Sequence, residues 1–123
     1  MTLTRAREAE ALFRSGFSCS QAICAAFAGD YGIDRETALK LSCGFGAGIA
    51  RSGNTCGVVT GALMVIGMKY GCTTTDDIAA RDKTYAVAQA FMAEFQHRHQ
   101  SINCTELIGY NLTNPDEYAQ ARA

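Results

Sequence analysis

The sequence predicts an all-α domain, a compact bundle of about five to six helices with a buried central helix near residues 56–70. Apolar residues recur at three- and four-residue spacing, no run alternates in the manner of a strand, and helix-start signals punctuate the chain. With 123 residues, the chain reads as one domain able to bury a core without covalent staples.

Residues 4–15 form an amphipathic helix that turns Ala6, Ala9, Leu12 and Phe13 inward, and Gly16 stands where a left-handed cap belongs. Ser18 and Gln21 make a capping box for the second helix, whose buried face is Ile23, Ala26 and Phe27 and whose end is Gly29 to Gly32. Asp34 caps a third helix through Ala38, Leu39 and Leu41. Cys43 to Cys56 is the irregular region, carrying Gly44, Gly46, Gly48 and Gly53 before an Asn54-Thr55 cap. The fourth helix, 56–70, is apolar nearly all round and closes at Gly71, while Gly57 and Gly61 admit a neighbouring backbone. A long helix from near Thr75 carries Tyr85, Ala88, Met92 and Phe95 and frays at His97 to Gln100. A short helix follows Asn103. Asn114-Pro115-Asp116-Glu117 opens a last one, which reads as the start of a longer helix as the sequence ends at Ala123.

Composition excludes several functions. The net charge is -1 and the Lys and Arg residues are scattered, so no cationic stripe exists for nucleic acid. The first fifteen residues lack the apolar core of a signal peptide. The apolar stretch Val58 to Met68 is too short, and too interrupted by glycine, to span a bilayer. These features point to the cytoplasm, where thiols stay reduced, so the six cysteines read as metal or redox thiols rather than bridges. The triplets Asn103-Cys104-Thr105 and Asn111-Leu112-Thr113 then have no bearing on glycosylation.

Three cysteines share one setting, each directly after a capping residue: Ser18-Cys19, Thr55-Cys56 and Asn103-Cys104, the last with Glu106 completing a capping box. Unpaired N–H groups and the positive dipole end favour a thiolate there and should lower the thiol pKa. Three such starts brought together would hold an anionic thiolate–metal centre, with backbone N–H groups donating to sulfur. Cys24 reads as core packing. Cys43 and Cys72 border the glycine-rich loop and the fourth helix and could serve as a fourth or spare thiol. His97 and His99 read as a solvated helix end. The glycine run is no nucleotide fingerprint, because no strand precedes it. Gly44, Gly46, Gly57 and Gly61 instead let backbone pass close to the site or to the central helix.

Four segments resemble the family of redox-active bacterial proteins named C_GCAxxG_C_C after four cysteines. They are Ala11 to Ala22 around Cys19, Gly44-Phe-Gly-Ala-Gly-Ile49, Cys56-Gly-Val-Val-Thr-Gly61-Ala-Leu-Met64, and Cys104-Thr-Glu-Leu-Ile-Gly109. The resemblance covers nearly the whole chain and maps family cysteines onto Cys19, Cys56 and Cys104. It extends to the iron–sulfur segment of split-Soret cytochromes, and so implies a cysteine-ligated iron–sulfur cluster in a helical bundle, often encoded near transporters. Val58 departs from the family alanine. No cysteine follows Cys104 where the family has its fourth, which implies a chain lacking the family's final helix or a borrowed ligand, and an empty site if neither supplies it.

Three functions follow as expectations. The first is an electron carrier rather than a substrate-turnover enzyme, with Cys19, Cys56 and Cys104 on an iron–sulfur cluster or another metal and an unidentified redox partner. The second is metal-free thiol–disulfide exchange. The third is a non-catalytic binding or homodimerisation module that uses the small-residue face of the fourth helix.

Overall fold

The computed structural model describes residues 2–110 and 113–122; Asn111, Leu112 and Ala123, and with them part of the second glycosylation-like triplet and the chain's last residue, lie outside the described residues. The architecture is all-α, as the sequence predicts. Among the described residues it comprises α1 (Thr2–Arg14), α2 (Cys19–Ala28) continued by a 3-10 turn (Gly29–Tyr31), α3 (Arg35–Cys43), α4 (Gly57–Tyr70), α5 (Ile78–His99), α6 (Cys104–Ile108) and α7 (Pro115–Arg122). No helix among these residues is long and apolar enough to cross a membrane.

The cap chemistry sets most boundaries. Ser18 accepts from the Gln21 backbone N–H while the Gln21 side chain accepts from the Ser18 N–H, so the box at α2 is complete. Asp34 caps α3 through Thr37, and Asn114 Oδ1 accepts from the N–H groups of Asp116 and Glu117 at the start of α7. Helix α5 begins at Ile78, three residues later than Thr75, because Asp77 is the residue whose side chain accepts from a first-turn N–H, that of Ala80.

The buried hub is α2 rather than α4. Helices α1, α3 and α4 all pack on α2, and the core is small-grained: Ala9, Leu12, Ala22, Cys24, Ala25, Ala26, Ala28 and Ala38. Phe17, Ile23, Phe27, Ile33, Leu39, Met64 and Met68 close around it. Cys24 is fully buried there, as expected for a packing cysteine. Alanine on α2 and glycine on α4 let the two axes approach closely: a Cβ added at Gly61 would stand 3.0 Å from the Ser20 carbonyl oxygen and from Ile23 Cβ. Arg5 grips both carboxylate oxygens of Asp30 at 2.6 and 2.8 Å and fastens α1 to the end of α2.

Three expected core positions of α1 and α3 lie outside it. Ala6 is exposed, Phe13 is 54% exposed and Leu41 is 61% exposed, because α1 and α3 each bury a stripe one residue wide per turn against an alanine-lined surface. Helix α4 buries only Gly57, Val59, Thr60 and Gly61, all in its first two turns. Its later residues are half-buried or exposed, since only α2 and α5 pack on it strongly. Helix α5 has no buried residue, and Tyr85, expected inside, is 58% exposed.

Candidate functional site

The start of α2, the start of α4 and the start of α6 meet at one end of the bundle, and each brings a cysteine. Cys19 is the first residue of α2 and Cys104 the first of α6, each directly after its cap. Cys56 differs: it is itself the capping residue of α4, with no side-chain cap hydrogen bond, because Thr55 is engaged in an isolated β-bridge with Asn103. That bridge is what joins two of the cysteines. The Cys56 N–H donates to the Ile102 carbonyl at 2.7 Å and the Cys104 N–H donates to the Asn54 carbonyl at 2.6 Å. The box at α6 is also modified, since Glu106 bonds the Ser101 hydroxyl and the Asn103 N–H donates to that hydroxyl instead. Asn103 still accepts from the Glu106 N–H.

Glycines allow the third approach. A Cβ at Gly57 would lie 2.8 Å from the Ser20 nitrogen and 3.0 Å from Cys19 Cβ, so a side chain there would wedge α2 from α4 beside the thiols. A Cβ added at Gly46 would lie 2.7 Å from Ser18 Cβ, and one at Gly48 would lie 2.7 Å from Cys104 Cβ. Gly44, expected to act in the same way, has nothing within 4 Å of an added Cβ; it ends α3.

Residues 44–54 form a loop over this end whose centre, residues 47–51, is a left-handed coil. Ala47, Gly48, Ile49, Ala50 and Arg51 have consecutive positive φ, and Gly53 resumes it after Ser52. Such a conformation costs about 1–2 kcal/mol per non-glycine residue. The coil holds itself with hydrogen bonds from the N–H groups of Ala50, Gly53 and Asn54 to the carbonyls of Gly44, Ala47 and Gly48, each reaching back six residues. It holds the site through Thr105, whose N–H and hydroxyl both donate to the Gly53 carbonyl, at 3.1 and 3.0 Å.

The electrostatics differ from the expectation of activated thiols. Burial pushes the Cys19 thiol up, and the proximity of Cys56 and then Cys104 pushes it further, while its own backbone N–H is the one influence pulling it down. Cys104 is pushed up by burial and then by Cys56. Desolvation and mutual repulsion thus outweigh the helix-start effect. Cys56 is the common neighbour. Cys43 and Cys72 are exposed, and neither contributes to the surroundings of Cys19 or Cys104.

All six cysteines are free thiols. Among the described residues no three His, Cys, Asp or Glu side chains stand at the separations that would hold a metal ion. The three thiols are therefore neighbours in charge and in chain placement without being gathered into a coordination sphere. As a donor set they suit soft or borderline metals and iron–sulfur clusters.

The sequence missed the Thr55–Asn103 bridge, the role of Ser101 and the left-handed coil. A two-residue bridge between segments about 50 positions apart leaves no periodicity, whereas the glycine run did mark where the coil lies. Gly48 was visible in that run but had no distinguishing signal within it.

No curated protein and no solved structure compared with the chain matches it. One family model does, over residues 17–123, that of the family described as putative redox-active protein (C_GCAxxG_C_C). The match takes in all three helix starts and the coil between them, and the chain belongs to the C_GCAxxG_C_C family.

Proposed function

We propose that the protein is an electron carrier in which Cys19, Cys56 and Cys104 ligate an iron–sulfur cluster. The observation that carries this reading is the convergence of three thiols, with burial first and then the neighbouring thiols raising the pKa of Cys19 and Cys104. Three adjacent thiols that resist ionisation together are stabilised as thiolates by a cation between them, which inverts the local electrostatics. Zinc would accept the same ligands but has no redox chemistry, so the redox character of the family favours iron. The cluster would supply one-electron transfer. The chain supplies thiolates on three helix starts, a buried setting, and a coil whose Thr105–Gly53 bonds keep Cys104 in place. Reduced thiols of this kind fit a cytoplasmic protein.

Thiol–disulfide exchange is the weaker alternative, because a raised pKa leaves little thiolate to attack at neutral pH. The test is iron, zinc and acid-labile sulfide per chain after anaerobic reconstitution, for the native protein and for Cys56→Ser. Iron with sulfide in the native chain and loss of both in the variant is the expected result. Occupancy should also fall as pH is lowered from 8 to 6, since protons compete for the thiols. A metal-free protein that forms a reversible disulfide among the three would overturn the proposal in favour of exchange.

A further inference from the structure

Helix α5 presents an apolar seam that lies open at Ile78 and Tyr85 and is half-buried at Ala88, Met92 and Phe95, where α4 packs beside it. Ile78, Tyr85 and Met92 recur at seven-residue spacing, with Ala88 and Phe95 between and beyond them at three, the pattern of a helix-pairing seam. Ile78 and Tyr85 are each 58% exposed. No charged residue occurs from Thr84 to Ala93, and Arg81 is the one charge on the seam. Helix α4, packed beside α5, carries a further uncharged run from Gly57 to Met68, of which only the first two turns are buried.

The exposed area argues for what lies against this surface. The chain exposes 7797 Å², whereas a compact monomer of 13.1 kDa exposes about 6,400 Å². The excess of roughly 1,400 Å² belongs to the whole chain, α7 and the termini included, and leaves room for the ~800 Å² that a standard interface removes from each partner. The described C-terminal helix α7 is too polar to be the cover, with Asp116, Glu117, Gln120 and Arg122 among its eight residues. The small-residue face of α4 is not available either, because Gly57 and Gly61 are spent against α2. A charged partner would leave its charges facing an uncharged stripe. A second copy of the same stripe matches it, and a two-fold axis lets one seam serve both sides.

We infer that the protein is a homodimer that pairs the Ile78–Phe95 seam of α5, with the outer side of α4 beside it, against the same surface of a second chain. The two hairpins then form a four-helix layer with the cysteine ends left outside it. This does not depend on the metal reading, since it uses none of the site residues.

The test is the mass of the full, reduced chain in solution by light scattering after size exclusion, with reductant present so that exposed Cys43 and Cys72 cannot cross-link copies. The expected mass is twice the 13.1-kDa chain mass. Tyr85→Glu should halve it with helical content retained, and Phe13→Glu, at an exposed apolar residue of α1, should leave it unchanged. Hydrogen exchange of the native protein across a dilution series needs no variant and should show the amides of 78–95 losing protection on dilution while those of α2 do not. A monomer at tens of micromolar, a dimer indifferent to Tyr85→Glu, or concentration-independent exchange over 78–95 would each refute the inference.

Discussion

Replacing Gly48 with alanine probes the contact between the left-handed coil and the third cysteine, and Gly32 offers a matched reference. The two glycines have nearly the same φ, 72° and 77°. An added Cβ at Gly32 meets nothing within 4 Å, whereas at Gly48 it would stand 2.6 Å from the Asn54 nitrogen and 2.7 Å from both Cys104 Cβ and the Gly53 carbonyl carbon. Gly32→Ala should therefore lose only the left-handed penalty, about 1 kcal/mol. Gly48→Ala bears that penalty plus overpacking against backbone and a Cβ, none of which can swing aside, for a total of about 2–4 kcal/mol. Two bonds lie in the path of relaxation, Asn54 N–H to the Gly48 carbonyl at 2.8 Å and Cys104 N–H to the Asn54 carbonyl at 2.6 Å. Urea denaturation of the reduced proteins at equal concentration, followed by circular dichroism with the slope m held common, reads the difference. Equal losses in the two variants would refute the packing of Gly48 on Cys104, as would a Gly48→Ala protein as stable as the native one.

Ala50→Gly removes a non-glycine residue from the coil at φ 52° and should raise stability by about 1 kcal/mol in the same urea assay, the gain in backbone comfort exceeding the added freedom of the unfolded chain. Stability of the metal-free protein should fall at alkaline pH. The thiols of Cys19 and Cys104 titrate higher when folded than unfolded, so their contribution is complete below the unfolded value of about 8.5 and is lost as pH rises through the folded values. Thermal melts from pH 7 to 10 with reductant check this, and Cys19→Ser should flatten the decline. Asp34→Ala removes the carboxylate that accepts from the Thr37 N–H and hydroxyl and should lower stability at neutral pH. Because those bonds hold the Asp34 carboxyl below its ordinary range, the difference from the native protein should shrink as pH falls into the acid range.

What the sequence made legible was local. Ser18 with Gln21, Asp34 and Asn114 located helix starts within a residue because a cap is a contact between near neighbours. The caps Ser18 and Asn103 singled out Cys19 and Cys104, and the glycines at 57 and 61 correctly announced a close backbone approach. What escaped it was tertiary. Thr55 looks like the cap of α4 and is instead drawn into pairing with Asn103, which shifts Cys56 into the capping position. The helix-start argument predicted acidic thiols, but burial and the neighbouring thiol change the sign, and neither can be read from spacing. An apolar helix such as α4 reads as central, yet α2, richer in alanine, allows closer neighbours on three sides and takes that place.

The bridge between Thr55 and Asn103 has a thermodynamic meaning beyond geometry. The chain departs from it through Cys56, runs out along α4 and back along α5, and returns through Cys104, so everything between is a loop whose two ends are fastened at one point. A metal bound by Cys56 and Cys104 together would close roughly 50 residues, and a cross-link of that span limits the unfolded chain by about 4 kcal/mol. Such a metal would then double as a clasp, and losing it would loosen the hairpin that hangs from it before the alanine core gives way.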